Sequence, residues 1–412
     1  MGKQKRNDSL KKVLFVISYL DKGGAERALS NITTHFPAGW DIDILVNDDR
    51  VIDYPFRGSI LTLGITEKPR TGSIFFQLKV LLKRVRRLKC LKKKGRYTAC
   101  ISFLDSANIA NILSGKGRCK VIVSVRSSLM QQGRKLQYRY IVIPLVKIFY
   151  NRADKIVAVS EGISDELISN FNLSSDKVVT IENGYDLLKI QEQAKEELTE
   201  KESKWFLEKK VVVTAGRLEE PKGQWHLIRA FTKVVKQIPN AVLLIIGSGE
   251  LEGYLKRLVK EGGIESHVCF TGFVSNPYKY MSRAEVFVLP SLYEGFPNAL
   301  AEAICLELPC IATDFHTGAR EILSPNMCTA KEPLEYTKEA EYGILTLPCT
   351  GKRYKDIDTP LEKAEKNLAE AMIMLLRDDQ KRTEYERKSA LRRETLEISV
   401  VVDKWYELIG NS

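Results

Sequence analysis

Glu294 and Glu302 stand eight residues apart in the stretch EVFVLPSLYEGFPNALAEAICLELPCIA, which runs from Glu285 to Ala312. The stretch opens on a short apolar strand, Val286–Leu289, and closes on a second that begins near Pro309. Between them a loop carries Glu294, Gly295 and Pro297 into a helix that holds Glu302. Gly295 permits a backbone angle that side chains resist, and Pro297 suits the first helical turn, where its missing N–H costs nothing. In α/β sheets ligands collect at the carboxyl ends of strands, and a helix N-terminus there attracts anions. The two carboxylates can therefore reach one ligand from different heights. They are not a stacked pair on one helical face, since eight residues leave an offset of about 80° at 3.6 residues per turn. In isolation the stretch reads equally well as a surface loop followed by an ordinary amphipathic helix.

A second constellation is cationic. In TAGRLEEPKG, Arg217 and Lys222 follow the end of a strand in a loop closed by Gly223. Arg offers a bidentate fork and Lys a point charge, a combination suited to a diphosphate; a solvent-facing basic loop would look the same. In IIGSGE, Gly247 resembles a phosphate-binding glycine turn, but the third glycine of the dinucleotide fingerprint is missing, and a tight strand-to-helix turn explains it as well. The four histidines and eight cysteines show neither zinc spacing nor a C-x-x-C pair, so no metal site and no structural disulfide is indicated.

These residues need elements to hold them. At 412 residues, with 44% hydrophobic and 28% charged content, the chain is long enough for two domains of ordinary globular composition. No apolar run has the length of a membrane span. The eight-residue run VLFVISYL follows basic residues as a leader would, but DKGGAER comes next without a small-residue cleavage site, so it reads as a first strand. Further strands are expected at Asp41–Val46, Ile60–Leu63, Ala99–Phe103, Val121–Val125, Lys155–Val159 and Val178–Ile181, with helices between them. That alternation predicts a parallel sheet with right-handed crossovers. Residues 186–210 are rich in Lys and Glu and lack Gly and Pro, which predicts a solvated helical connector between domains. The pattern then restarts with VVVTAG, VLLIIGSGE, CFTGFV, the opening stretch and GILTLP, giving a second sheet of five or six strands. The expected divisions are 1–185, 186–210, 211–385 and a terminal helix over 386–412, with Ile398, Val401, Val402, Trp405 and Ile409 on its apolar face. Residues 324–342 read as a surface excursion or as an insertion touching a ligand.

The net charge of +12 is concentrated between Lys79 and Arg96, where there are ten cations and no carboxylate. Leu78, Leu81, Leu82, Val85 and Leu88 make this a basic amphipathic helix. It admits three readings: an anionic membrane surface element, a solvated face, or a nucleic-acid patch. The last lacks any accompanying nucleic-acid motif. A second stretch, Gly133–Arg152, mixes basic, aromatic and apolar residues and fits either a lipid interface or a core helix bent at Pro144.

Taken together, GGAER, VSEGI, the Arg217/Lys222 loop, GSGE, SLYEGFPNALAEA and GAREIL resemble, in order and over essentially the whole chain, the retaining glycosyltransferases of family four. Glu294 and Glu302 match that family's E-x7-E motif. The resemblance implies a GT-B fold, with two doubly wound Rossmann-like domains facing a cleft. The first would bind the acceptor and the second the nucleotide-sugar, and the C-terminal helix would cross back to pack on the first. It implies that Arg217, Lys222 and Glu294 serve the reaction, with the two cations on the donor diphosphate and Glu294 on the donor sugar. Glu302 would take the ribose hydroxyls. Gly295, Phe296 and the helix start at Asn298, Ala299 and Leu300 would meet the donor, as would Gly247. Gly23 and Gly24 would let a loop approach the diphosphate, Val274 would lie by the base, and Arg126 would stand on the acceptor side. No cofactor and no metal is expected to be required.

The sequence-based expectation is therefore an enzyme, a hexosyl- or N-acetylhexosaminyltransferase. It would move a sugar from a nucleoside-diphosphate donor, UDP-linked, to a membrane-associated glycan or lipid-linked oligosaccharide in cell-surface polysaccharide (capsule or lipopolysaccharide) synthesis. It would work in the cytoplasm, peripheral to the inner face of the membrane through Lys79–Arg96, without nucleic acid as a partner. The rivals are a sugar-nucleotide epimerase or a phosphorylase of the same architecture, and a non-catalytic scaffold bound to anionic membrane. The phosphorylase lacks a PLP-anchoring lysine motif.

Overall fold

The computed structural model describes residues 11–21, 23–66, 74–133, 136, 138–315, 317–327, 334–354, 357 and 359–410. These form two compact units. The first takes in the described residues through Val159, then Ile163–Gly184, then those from Ile398 onward; the second comprises Ser160–Gly162 and Tyr185–Glu397.

In the first unit, seven strands run β1 (Lys11–Val16), β2 (Trp40–Val46), β3 (Ser59–Thr62), β4 (Ala99–Phe103), β5 (Lys120–Val125), β6 (Lys155–Ala158) and β7 (Val178–Thr180). They pair in parallel in the order β3-β2-β1-β4-β5-β6-β7. Near-continuous apolar runs such as VLFV and CISF form these strands because both sheet faces are covered. One face carries the cluster of Phe15, Phe36, Trp40 and Phe103, together with Ile398, Val401, Trp405 and Ile409 of the terminal helix Ile398–Gly410. The Trp405 and Phe103 rings lie 5.8 Å apart. The other face packs Leu14, Val16 and Cys100 against helix Ile74–Lys94 through Val80 and Leu88.

The second unit repeats the plan. Strands β8 (Lys210–Ala215), β9 (Ala241–Ile246), β10 (Val268–Gly272), β11 (Val286–Leu289), β12 (Cys310–Thr313), β13 (Lys338–Glu339) and β14 (Ile344–Thr346) take the order β10-β9-β8-β11-β12-β14-β13. Among the described strands of this sheet β13 alone is antiparallel, paired to β14. It lies in the segment expected to be a surface excursion; residues 328–333 of that segment fall outside the described residues. Both sheets reverse direction of winding beside their first strand, between β1 and β4 and between β8 and β11. Outside the carboxyl ends at such a switch point, a doubly wound sheet opens to ligands.

Three expectations need correction. The stretch 186–210 is helical and largely exposed, as expected, with Ile190 alone buried, but it is not a separate link between domains. It folds into helices Leu187–Ala194 and Glu200–Ser203 and joins the second unit, because its charges find partners there. Asn276 donates to the Gln193 carbonyl (2.8 Å) and to Glu196 (2.9 Å), and Lys279 pairs with Glu196 (2.9 Å). The terminal helix does not begin at 386. Helix Asp379–Thr395 stays with the second unit, where Ser389 donates to the Leu308 carbonyl (3.1 Å) and Arg392 to that of Ile322 (3.1 Å). The apolar stripe that fits the first unit starts only at Ile398. Finally, the segment around Pro144 is not a core helix: from Tyr138 to Phe149 only Val146 is buried.

Candidate active site

At the switch point of the second sheet, two loops close on each other. The one after β8 leads through Gly216 and Arg217 into a tight turn, Glu220–Lys222, and thence into helix Gln224–Gln237. The one after β11 runs from Pro290 to Pro297 and heads helix Asn298–Cys305. Leu292 N–H donates to the Pro221 carbonyl (2.8 Å). Gly223 has φ +61°, and a Cβ there would lie 2.4 Å from the Pro290 carbonyl oxygen, so only glycine lets the loops meet.

The meeting brings Lys222 and Glu294 together. Lys222 Nζ donates to Glu294 Oε1 at 2.7 Å, and the two side chains are 21% and 12% exposed. Ser291 Oγ donates to the same carboxylate oxygen (2.8 Å), and the Thr317 hydroxyl caps the Glu294 carbonyl. Thr313 Oγ1 ties the Ser291 carbonyl back to β12 (2.6 Å). Glu294 is thus fixed at its backbone and its carboxylate. Sequence reasoning singled out Lys222 and Glu294 separately; the structure joins them in one ion pair.

Arg217 sits differently. Its side chain is 73% exposed and its guanidinium reaches Glu219 (2.9 Å), while Gln224 Nε2 holds its carbonyl (3.0 Å). It stands on the same loop as Lys222 without sharing the Glu294 contact. Gly247, after β9, has φ +130°, and a Cβ there would lie 2.0 Å from the Gly216 carbonyl oxygen. Its N–H donates to the Gly272 carbonyl (2.9 Å), just before Val274. The requirement for glycine at 247 comes from backbone crowding, which matches the tight-turn reading.

In helix Asn298–Cys305, Glu302 is 5% exposed and Leu300 fully buried, with Phe296 buried in the preceding loop. Pro297 is the residue before the helix rather than within it (φ −79°, ψ 88°). The Leu300 amide, one of three expected to face an anion, donates instead to the Pro297 carbonyl (3.0 Å), which leaves Asn298 and Ala299 at the head of the helix. The unusual backbone angle that Gly295 would permit is found at Gly318 (φ +86°), whose Cβ position touches Pro297 and Gly295. Nearby, Asp314 and Arg320 form a buried pair (2.5 Å) that keeps the Arg320 guanidinium charged, its pKa raised chiefly by hydrogen bonds to Asp314.

Gly23, Gly24 and Arg126 belong to the first unit. Gly23, in extended backbone, and Gly24 lead into helix Gly24–His35 after β1. Arg126 follows β5, bonds the Asn183 side chain, and lies 5.6 Å over the Phe103 ring. A residue not anticipated from sequence is Asp105. It follows β4 at the switch point of the first sheet, directly after Leu104, whose φ of 71° and ψ of 150° are unusual for a side chain that bulky. Burial pushes the Asp105 carboxyl up, against hydrogen bonds from Tyr138 and Tyr150. A carboxylate just past a strand end was the available signal.

The basic helix also changes meaning. Of the ten cations between Lys79 and Arg96, Arg84 and Lys92 are buried. Arg84 donates to Ser106 (2.8 Å), Ser18 (3.1 Å) and Asn47 (2.6 Å), and burial pushes its pKa down to about 10. Lys92 donates to the Asn111 (2.8 Å) and Gly115 (2.7 Å) carbonyls. Leu78 and Leu82, expected on the inner face, are exposed, as is Phe75 at 84%. Among the described residues no helix is long and apolar enough to cross a membrane, and no group of three or more His, Cys, Asp or Glu could hold a metal ion.

Two family models match: glycosyltransferase family four over residues 22–188 and glycosyl transferases group 1 over residues 195–332. A glycosyltransferase of Methanocaldococcus jannaschii, itself uncharacterised, is 32% identical over 80% of this chain and 83% of its own. This chain is a family-four-type glycosyltransferase of the GT-B fold. A second relative of this glycosyltransferase is the Campylobacter jejuni N-acetylgalactosamine-N,N'-diacetylbacillosaminyl-diphospho-undecaprenol 4-alpha-N-acetylgalactosaminyltransferase. It is 26% identical over 96% of this chain and 99% of its own. Among solved structures, Anabaena HepE in complex with UDP superposes with a TM-score of 0.73 at 18% identity, covering 97% of this chain and 100% of that one.

Proposed function

We propose that this glycosyltransferase moves a hexose or N-acetylhexosamine from a UDP-sugar to a lipid-linked glycan in cell-surface polysaccharide synthesis, with retention of configuration and no required metal. The observation that carries the reading is the Lys222–Glu294 pair at the switch point of the second sheet (2.7 Å). It sets a cation for a diphosphate beside a carboxylate for sugar hydroxyls. Glycosyl transfer builds positive charge on the sugar ring and negative charge on the departing diphosphate. Lys222, Arg217 and the amides of Asn298 and Ala299 stabilise the second, much as an oxyanion hole does. Glu302 takes the ribose hydroxyls. The acceptor oxygen bonds the anomeric carbon on the face from which the diphosphate leaves, and its proton passes to a departing phosphate oxygen. Support for the donor comes from the UDP bound by HepE, and for the acceptor from the diphospho-undecaprenol named for the Campylobacter jejuni relative. Peripheral attachment to the inner face of the cytoplasmic membrane then uses the outward residues of helix Ile74–Lys94, with Phe75, Leu78 and Leu82 beside Lys79, Lys83, Arg86 and Arg87.

A nucleotide-sugar panel scored by thermal shift, followed by turnover on polyprenyl-diphosphate glycans, tests this. One UDP-sugar is expected to raise the melting point and to release UDP only with an acceptor present. Release of an epimerised nucleotide-sugar, or no UDP release with any acceptor, would overturn it.

A further inference from the structure

In the second unit, residues 347–362 connect β14 to helix Lys363–Arg377. About two to six residues suffice for such a link, and connections beyond about 12–15 are uncommon outside functional loops and linkers. The first half of this one, Leu347–Tyr354, lies as a strap over the place where the Lys222 loop meets the Glu294 loop. Trp225, fully buried in the first turn of helix Gln224–Gln237, donates its indole N–H to the Lys352 carbonyl (2.9 Å). Arg353 reaches Glu220 (3.0 Å), the first residue of the turn that ends in Lys222, and its guanidinium lies 5.7 Å over the Trp225 ring.

The strap meets the other loop through Leu292. Gly351 has φ +76°, and a Cβ there would lie 3.0 Å from Leu292 Cδ1. The second methyl of Leu292 faces Gly223, whose Cβ position is 3.5 Å from Cδ2. Leu292 is also the residue whose N–H crosses to the Pro221 carbonyl (2.8 Å). It is therefore held between two glycines at the seam, one on the Lys222 loop and one on the strap. Glycine at both positions is what lets three backbones approach one side chain.

Behind the site the strap is anchored on the same helix that the Lys222 loop feeds. Tyr354 is buried, and its N–H donates to Tyr254 Oη (3.2 Å), which in turn donates to the Tyr354 carbonyl (3.0 Å). The Arg229 guanidinium stacks 3.9 Å over the Tyr354 ring. His226 (2.8 Å) and Arg229 (2.9 Å) both bond the buried Glu365, and Thr350 donates to Glu362 (2.7 Å). Trp225, His226 and Arg229 all stand on helix Gln224–Gln237, so strap, helix and cationic loop move as one piece. The Arg353–Glu220 pair is too exposed to stabilise the fold much; what it fixes is orientation.

We infer that the strap Leu347–Tyr354 is a third element of the donor site, with Trp225 and Arg353 as positioning residues that keep the Lys222 loop pressed against the Glu294 loop. Its chemical consequence rests on the transferase reading, which sets Lys222 on the departing diphosphate. The pressing of one loop on the other needs no donor, so either can fail alone.

The full chain is followed by hydrogen exchange read by mass spectrometry, and by UDP release from the UDP-sugar that raises its melting point. Trp225→Phe keeps an aromatic ring and removes the indole N–H. It is expected to speed exchange in peptides covering 217–224 and 290–297 while those of β9 and β12 keep the parent's rate. Its kcat should fall on the order of ten- to a hundredfold, the range that a displacement of about 1 Å can cost. KM for the donor should move less, because Lys222 acts on charge that develops in the transition state. Arg353→Glu sets two carboxylates against each other and should act in the same direction more weakly. Adding Glu220→Arg reverses the pair at the parent's net charge and should restore both readouts. Trp225→Phe with the parent's kcat and exchange would overturn the strap. So would faster exchange spread evenly over the second unit with kcat per folded molecule preserved, which would leave Trp225 a core residue only. A parent that releases no UDP with any acceptor would instead sink the transferase reading, and the exchange pattern would then decide the strap by itself.

Discussion

Lys222 and Lys92 belong to two charged stretches of this chain, one of mixed sign and one wholly basic, and end in opposite situations. Lys222 sits in a loop where a carboxylate and a serine converge, and its ammonium meets Glu294. Lys92 lies in a helix crowded with cations, but its ammonium is sealed against two backbone carbonyls. Arg84, one helical face up, is likewise consumed by three neutral acceptors. Density of charge along the sequence is therefore a poor guide to where charge acts. A cation beside a carboxylate at a sheet's switch point is poised for a ligand, whereas a cation that terminates carbonyls and hydroxyls is architecture, fixing one helix against its neighbours. The difference can be broken at either end.

The largest effect should come from Lys222→Ala. Losing one cation aimed at a developing negative charge costs about 2.7–4 kcal/mol, on the scale of oxyanion-hole donors. UDP release with saturating acceptor should fall on the order of a hundred- to a thousandfold. The urea midpoint should move little, because the pair is partly exposed and such pairs contribute at most about 1 kcal/mol. A large loss of stability with turnover per folded molecule preserved would make Lys222 an architectural cation like Lys92.

Much of this was legible in sequence, and the reason is periodicity. Strands such as β1, β4 and β8 are apolar on both faces and bounded by glycine or polar turns, so they announce themselves, and the stripe Ile398–Ile409 does the same for the terminal helix. β13, two residues long, has no period to read. The helical, exposed character of the charged stretch 186–210 was legible, but not its membership of the second unit, because Lys and Glu facing water and Lys and Glu facing Lys279 and Asn276 look alike along a chain. At the site, Glu294, Lys222 and Arg217 were visible as charged groups next to strand ends. Ser291 and Thr317, which hold Glu294, were not, since hydroxyl residues fill loops everywhere and only the closing of two distant loops gives them a role. Asp105 was hidden for the same reason: its partners Tyr138 and Tyr150 lie far along the chain.

Next in size is the backbone crossing beneath the site. In Gly247→Ala the new Cβ would meet the Gly216 carbonyl oxygen at 2.0 Å, in a backbone conformation of φ +130°. Strain and displacement together should cost about 2–3 kcal/mol, read as a lower urea midpoint. Because Gly216 precedes Arg217, UDP affinity should weaken in the same variant. Unchanged stability would mean the two loops can part, and the cationic loop would lose its claim to be preset.

Arg84→Ala tests the architectural side. It strips Ser106, Ser18 and Asn47 of a shared donor and leaves a cavity, at a cost of about 2 kcal/mol. The urea midpoint should fall while the UDP-induced thermal shift survives. Arg86→Ala with Arg87→Ala, on the exposed side of the same helix, should leave stability within about 0.5 kcal/mol of the parent. If these two pairs of outcomes came out reversed, the division of the helix into buried and outward cations would be wrong.

The smallest effect belongs to Glu202, in the charged stretch that joins the second unit. The Tyr280 hydroxyl, ahead of the Thr199 backbone N–H, holds its carboxyl down to about 2, with Lys279 adding a weaker pull from 3.8 Å. A carboxyl whose folded pKa lies below its unfolded one contributes stability that is complete above the unfolded value of about 4.5 and drains away as pH falls towards 2. Parent and Glu202→Gln should therefore differ most at neutral pH and converge in acid. Solvent screening limits the gap to about 1 kcal/mol. Measured as melting point against pH, a gap that persisted undiminished at low pH would remove the charge from the explanation and leave only packing of helix Glu200–Ser203 on helix Tyr278–Met281. A gap that closes with acid would show that a stretch of alternating Lys and Glu can be held in place by its charges, as surely as Lys92 is held by carbonyls.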